Sequence, residues 1–336
     1  MIDEVADNNV AVWPVWGHDH AVRELHAASV RGPRHAYILS GFEHLGKTTI
    51  ARVFSQSLLC TQPTSPGVPC LECSACRRVS RGTHPDCSLF DLERQVKMAE
   101  KSTTSRNLTL NIQTVREITS SVSMRPLESQ HRIIIVDDVE TMQETAQEAF
   151  LKTLEEPPAY AVILLLTTDA ELLLETIRSR AMTVHLQNVP MDRIQAGLIT
   201  QGVESDKAGK IAEVSDGRPG WAIQAAKDDK MLAERLDQQA AADRWIGAER
   251  YNQLAEATRL GDAFGKDRAA VYARLTAVQR QWRQRVLDDL TATPAKITDN
   301  VNALKSIDMC FRDLDANVRP KLALQTMVLQ WPTTNL

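Results

Sequence analysis

Long apolar runs are missing from this sequence. None approaches the ~18 residues that span a bilayer, which excludes a helical membrane span. Glycine and proline are scarce, at 14 each in 336 residues. That is below average usage and excludes collagen-like and low-complexity chains. An excess of basic charge is also missing: 39 lysines and arginines face 43 acidic residues, a net charge of −4. A protein that coats DNA over its whole surface is therefore excluded, and any nucleic-acid contact must be local. Six cysteines are too few for a disulfide scaffold. In a reducing compartment, clustered cysteines are metal ligands sooner than disulfides. Met1 to Asn9 is acidic and polar, without the basic start and apolar centre of a secretory signal. The expectation is a soluble, cytoplasmic protein with no membrane partner.

The length suggests two or three domains. Over the first ~190 residues the pattern alternates between strands and helices. His35–Ser40, Ser88–Leu92, Arg132–Asp137, Ala161–Leu166 and Met182–Leu186 are apolar runs too short for helices. Lys47–Leu59 has a helical pattern, and Ile112, Val115, Ile118 and Val122 recur at helical spacing. Strands that are apolar throughout, alternating with helices, predict an α/β fold with a parallel sheet covered on both faces. After about Val189 the strands stop. Short helices broken at Gly217, Pro219 and Gly220 follow, and from about residue 231 the chain reads as helical. Val271, Leu275, Val278, Trp282 and Val286 make one apolar stripe there; Leu324, Met327, Val328 and Trp331 make another.

Gly41-Phe42-Glu43-His44-Leu45-Gly46-Lys47-Thr48 fits the phosphate-loop pattern in full, between a strand and a helix. The glycines, Gly41 and Gly46, let backbone N–H groups turn toward a phosphate. Lys47 would reach the β and γ phosphates and Thr48 would hold Mg²⁺. Thr49 is counted with this nucleotide site. The anion would also sit at a helix N-terminus. Ile133–Val136 followed by Asp137-Asp138 has the Walker-B form, with Asp137 near the Mg²⁺ and Asp138 where a water-activating carboxylate is expected. Cys60, Cys70, Cys73 and Cys76 are spaced C-x9-C-x2-C-x2-C, and four thiolates suit a closed tetrahedral zinc site with a structural task. Cys87 and Cys310 stand alone and read as small core residues.

The order of these motifs, together with Trp16-Gly17-His18, Gly82-Thr83-His84-Pro85-Asp86, Phe150-Leu151-Lys152-Thr153-Leu154-Glu155-Glu156-Pro157-Pro158, Thr167-Thr168-Asp169 and Thr176-Ile177-Arg178-Ser179-Arg180, resembles a bacterial clamp-loader subunit of the AAA+ class. The L-K-T-L-E-E-P-P run is specific to that group. The T-H-P-D run is similar to the delta-prime subunits of DNA polymerase III rather than to the gamma/tau motors. The resemblance implies a nucleotide-binding domain over residues 1–188 with a zinc insertion at 60–76, a helical lid at 189–230, and an all-helical collar at 231–336. It also implies partners: gamma/tau and delta subunits in a hetero-pentameric ring, a sliding clamp, and primed DNA. Arg106, Arg116 and Arg125 are the candidates for backbone-phosphate contact with that DNA.

Within the resemblance, Arg180 matches the arginine given in trans to a neighbour's ATP, although Ala181 stands where the family has cysteine. Thr168 matches the position of a hydroxyl that orients a water or the γ-phosphate. Gly220 occupies the place of the motors' lid arginine, and Arg218 lies two residues too early to replace it. Asp138 is one methylene shorter than the motors' glutamate, and a ~1 Å displacement costs ~100-fold in rate. The expectation is ATP–Mg²⁺ binding without efficient hydrolysis by this chain. The first reading is a delta-prime stator, which Asp138 and the absent lid arginine favour; the alternatives are an ATP-hydrolysing gamma/tau-like motor and an unrelated AAA+ remodeller with a zinc insertion.

Overall fold

The computed structural model describes residues 13–92, 95, 109–289 and 294–332. Arg106 lies outside them. The chain divides into two compact units, Met1–Ile223 and Gln224–Leu336. No described helix is long and apolar enough to cross a membrane.

Among the described residues, the first unit is built on five parallel strands: β1 (Ala36–Ser40), β2 (Cys87–Phe90), β3 (Arg132–Val136), β4 (Ala161–Thr167) and β5 (Met182–His185), in the order β2-β3-β4-β1-β5. Every residue of β1, β3 and β4 is buried, because helices cover both sides. Side chains alternate strictly between the two faces. Tyr37, Leu39, Ile133, Ile135, Val162 and Leu164 enter one core with Leu25, Ile50 and Phe54. Ile38, Ile134, Val136, Ile163 and Leu165 enter the other with Ile118 and Phe150. The described helices of this unit are α1 (Asp19–Arg31), α2 (Lys47–Leu59), α3 (Ser74–Ser80), α4 (Ile112–Ser123), α5 (Glu144–Glu155), α6 (Glu175–Arg178), α7 (Met191–Thr200) and α8 (Ser205–Val214); α9 (Pro219–Lys227) runs across the boundary. Asn111 caps α4 by accepting hydrogen bonds from the N–H groups of Gln113 and Thr114.

Strand β2 begins and ends earlier than the predicted Ser88–Leu92, since its ladder pairs Cys87 with Ile133 and stops where Phe90 meets Val136. Asp86, just before it, is fully buried. Its carboxylate accepts from the N–H groups of Leu127 (2.6 Å) and Glu128 (2.9 Å) and from the Ser129 hydroxyl (2.9 Å). Burial alone would raise its pKa, but these donors outweigh burial and lower it. The T-H-P-D run therefore has a structural task in this chain: it pins the loop that leads into β3.

The second unit holds α10 (Asp229–Ile246), α11 (Arg250–Ala263), α12 (Arg268–Asp288), α13 (Pro294–Asp315) and α14 (Pro320–Leu329). Trp331 packs between Trp245 and Trp282, with ring centroids 5.2 and 5.8 Å away. Arg250 donates to the carbonyls of Val328 and Trp331, which satisfies the free C-terminal end of α14. Val286, expected in the α12 stripe, is only half-buried. Its steps from Val271 carry it about 60° round the helix, off the core face.

Candidate nucleotide and metal sites

The phosphate loop leaves the C-terminal end of β1, the position at which parallel sheets bind ligands. Gly46 starts α2 with φ +92°, a conformation that a side chain would strain. Lys47 Nζ donates to the carbonyls of Gly41 (2.6 Å) and Phe42 (3.1 Å). Burial lowers the Lys47 pKa, and the carboxylates of Asp137, Glu140 and Asp138 work against that shift. Thr48 Oγ1 donates to Asp137 Oδ2 at 2.9 Å, so the two expected Mg²⁺ ligands meet across β1 and β3. Burial raises the pKa of Asp137. Asp138, held at φ +52°, is pushed up to about 6 by burial and then by the charges of Asp137 and Glu140.

Thr49 points elsewhere: it lines a cavity of about 320 Å³ beside α3, with Pro14, Val53 and Arg77. Glu140 was not a candidate from sequence, yet it stands in the site. Its Oε1 accepts from the Thr168 N–H (2.9 Å) and the Thr168 hydroxyl (2.6 Å). The signal was present in the Asp-Asp-Val-Glu run, where a short turn after Asp138 brings Glu140 back over the strand ends. The start of α9 also reaches the loop. The Gly220 N–H donates to the His44 carbonyl at 2.8 Å, and a Cβ on Gly220 would lie 2.8 Å from that same oxygen. Arg218, set aside on sequence grounds, stacks 5.7 Å from the centroid of the Phe42 ring and pairs with Asp216 at 3.4 Å.

The four clustered cysteines converge, with all ligand sulfurs within 4.8 Å of one another. Cys60 Sγ lies 3.6 Å from Cys70 Sγ and 3.9 Å from Cys73 Sγ. A tetrahedron with ~2.3 Å metal–sulfur bonds has edges of about 3.8 Å, so the donor set fits zinc. Backbone N–H groups of Cys70, Cys73 and Cys76 donate to the sulfurs of Cys60, Cys70 and Cys73, which is the outer shell that thiolates require. Burial raises the Cys73 thiol, but donors at Cys76 and Thr61 outweigh it and bring it down to about 5. Burial pushes Cys76 upward.

Arg180 lies at the opposite end of the sheet. With Arg34, His35, Glu155 and Met182 it lines an open cavity of about 460 Å³ beside the beginnings of β1 and β5. Its Nη2 donates to Glu155 Oε1 at 2.8 Å and its Nη1 to the Thr176 carbonyl at 2.9 Å. Arg178 pairs with Glu171 at 2.6 Å. Arg180 is therefore not brought to the chain's own phosphate loop. Arg116 and Arg125 are exposed, on α4 and just after it.

The sequence matches the family described as DNA polymerase III, delta subunit, over residues 17–190. It is 31% identical over 211 residues to DNA polymerase III subunit tau/gamma of Haemophilus influenzae, covering 60% of this chain and 28% of that protein. It is 33% identical over 148 residues to DNA polymerase III subunit delta′ of Pseudomonas aeruginosa, covering 44% of this chain and 42% of that protein. A DNA polymerase III gamma subunit-related protein from Thermotoga maritima, of known structure, is 20% identical with a TM-score of 0.40, covering 91% of this chain and 97% of that one. The chain spans about a quarter to a half of the length of the tau/gamma relatives it matches. The chain belongs to the DNA polymerase III delta-subunit family, within the AAA+ clamp loaders.

Proposed function

We propose that this chain is a delta-prime-like stator of a clamp loader, completing a neighbour's ATP site with Arg180 while binding ATP–Mg²⁺ without turning it over efficiently. The observation that carries this reading is the placement of Arg180 at the end of the sheet away from Lys47, in an open cavity. An arginine there cannot serve the chain's own phosphates, but it can serve those of a subunit docked on that face. Lys47, Thr48 and Asp137 are the residues that would hold ATP–Mg²⁺, with the metal supplying charge neutralisation between the phosphates.

Two features support slow turnover. Asp138 is one methylene short for activating water. Gly220 sits so close to His44 that its position cannot carry a lid side chain without displacing the loop. Cys60, Cys70, Cys73 and Cys76 would hold a zinc ion that braces the insertion and takes no part in chemistry. The partners on this reading are gamma/tau and delta subunits in a hetero-pentameric ring, the sliding clamp and primed DNA, with Arg116 and Arg125 offered to the DNA backbone.

A second reading, a gamma/tau-like motor, is favoured by the intact Thr48–Asp137 contact. ATP hydrolysis by the isolated chain, and then by a ring reconstituted with it, separates the two. The stator reading expects negligible turnover alone and stimulated turnover in the ring. Substantial turnover by the isolated chain would identify it as a motor.

A further inference from the structure

The Thr168 hydroxyl has one proton to give, and the fold determines where that proton can go. Strand β4 lies between β1 and β3. Its last residue, Thr167, pairs with Ser40, and the Thr167 carbonyl accepts from the N–H of Gly41, the first residue of the phosphate loop, at 3.1 Å. Two places earlier, Leu165 pairs with Val136, the residue before Asp137. Thr168 therefore emerges between the phosphate loop and the Asp137 carboxylate, where the far end of a bound phosphate chain would lie. There both its hydroxyl and its N–H are given to one oxygen, Glu140 Oε1, at 2.6 and 2.9 Å. The other oxygen, Glu140 Oε2, is buried with no hydrogen-bond partner among the described residues. Thr48 is committed in the same way to Asp137 at 2.9 Å.

We propose that Glu140 is a specificity-determining residue: it holds the Thr168 proton away from the terminal phosphate, so that the chain binds ATP and ADP with nearly equal affinity. This rests on the reading that the phosphate loop binds nucleotide. Two effects act in the same direction. A hydroxyl donating to a carboxylate makes a short, charge-assisted bond, and a γ-phosphate oxygen must displace that bond to be read. The Glu140 charge, which already acts on Lys47, also repels the extra negative charge that distinguishes ATP from ADP.

The test is calorimetric titration of the full chain with ATP–Mg²⁺ and with ADP–Mg²⁺. The wild type is expected to bind the two within ~3-fold of each other. Glu140→Ala is expected to favour ATP by on the order of 10-fold, the size of one regained hydrogen bond to a charged group. Glu140→Gln keeps an acceptor oxygen for Thr168 and is expected to stay closer to the wild-type ratio. Thr168→Val added to Glu140→Ala should remove the gained preference, which loss of packing alone would not do. If Glu140→Ala melts early, Glu140→Asp, one methylene short of Thr168, serves in its place. An unchanged ratio in a folded, nucleotide-binding Glu140→Ala or Glu140→Asp chain overturns this proposal alone. Binding of neither nucleotide by the wild type overturns the nucleotide reading and this proposal with it.

Discussion

At the C-terminal end of the parallel sheet the polar groups are committed to one another; at the N-terminal end, beside β1 and β5, they are offered to solvent. At the C-terminal end, Lys47 is tied to the loop carbonyls, Thr48 to Asp137 and Thr168 to Glu140, and burial shifts the titration of Lys47, Asp137 and Asp138. At the N-terminal end, Arg180 is a third exposed and its partner Glu155 nearly half exposed. Burial makes each group at the first end matter to binding within this chain. Exposure makes the Arg180–Glu155 pair nearly neutral for the fold, so its importance shows only when another molecule covers it.

The strongest way to break that contrast is Arg180→Ala. The isolated chain should fold and bind nucleotide as before. In a reconstituted ring, the single site that Arg180 completes should lose ~10³–10⁵ in turnover, with total turnover falling less because other sites continue. The measurement is clamp-stimulated hydrolysis with assembly confirmed. Wild-type rates there would make Arg180 an ordinary surface residue.

At the buried end, Lys47→Ala should lower nucleotide affinity by on the order of 100-fold or more, since it removes charge-assisted donors from a partly desolvated site. A titration that finds little change would mean that the loop does not cradle phosphate. Midway in effect lies the cysteine cluster, where one zinc per chain is expected by metal analysis. Cys73→Ser should release the metal and destabilise the insertion, because three ligands leave the tetrahedron open. Metal content far below one equivalent in the wild type would remove the zinc assignment.

Much of this contrast was legible in the sequence because it follows from local pattern. The apolar runs around Ile38, Ile134 and Leu164 announce buried parallel strands, and the glycine spacing before Lys47 announces the loop. The residues that escaped are those joined by topology rather than spacing. Glu140 meets Thr168 across 28 positions only because β3 and β4 are neighbours. Arg218 lies against Phe42 only because the chain turns at Asp216 and Gly217 before α9. Asp86 showed its motif but not its task, since its partners lie more than 40 residues ahead.

Asp86, at the N-terminal end of β2, tests whether a buried carboxylate at that end behaves like the C-terminal site. Asp86→Asn should cost ~1–3 kcal/mol, since the charged acceptor of three donors is weakened. The sign of its pH dependence follows from a folded pKa below the unfolded one. The stabilisation is present above the ordinary carboxylate range, at neutral pH, and is lost as acid titrates Asp86 through its lowered folded value. Denaturant melts of wild type and variant should therefore converge in acid and separate toward neutrality.

The smallest expected effect is at the exposed end. Glu155→Ala removes the partner that holds Arg180 at 2.8 Å. An ion pair this open to water contributes ~0–1 kcal/mol, because solvent screens the charges and two long side chains must be ordered to make it. The melting midpoint of the isolated chain should barely move. Arg180 keeps its bond to the Thr176 carbonyl, so the guanidinium remains anchored on one side and free on the other. A clear loss of stability in Glu155→Ala would show that the N-terminal end is as tightly coupled to the fold as the phosphate-loop end, and the distinction between a committed site and an offered one would fall.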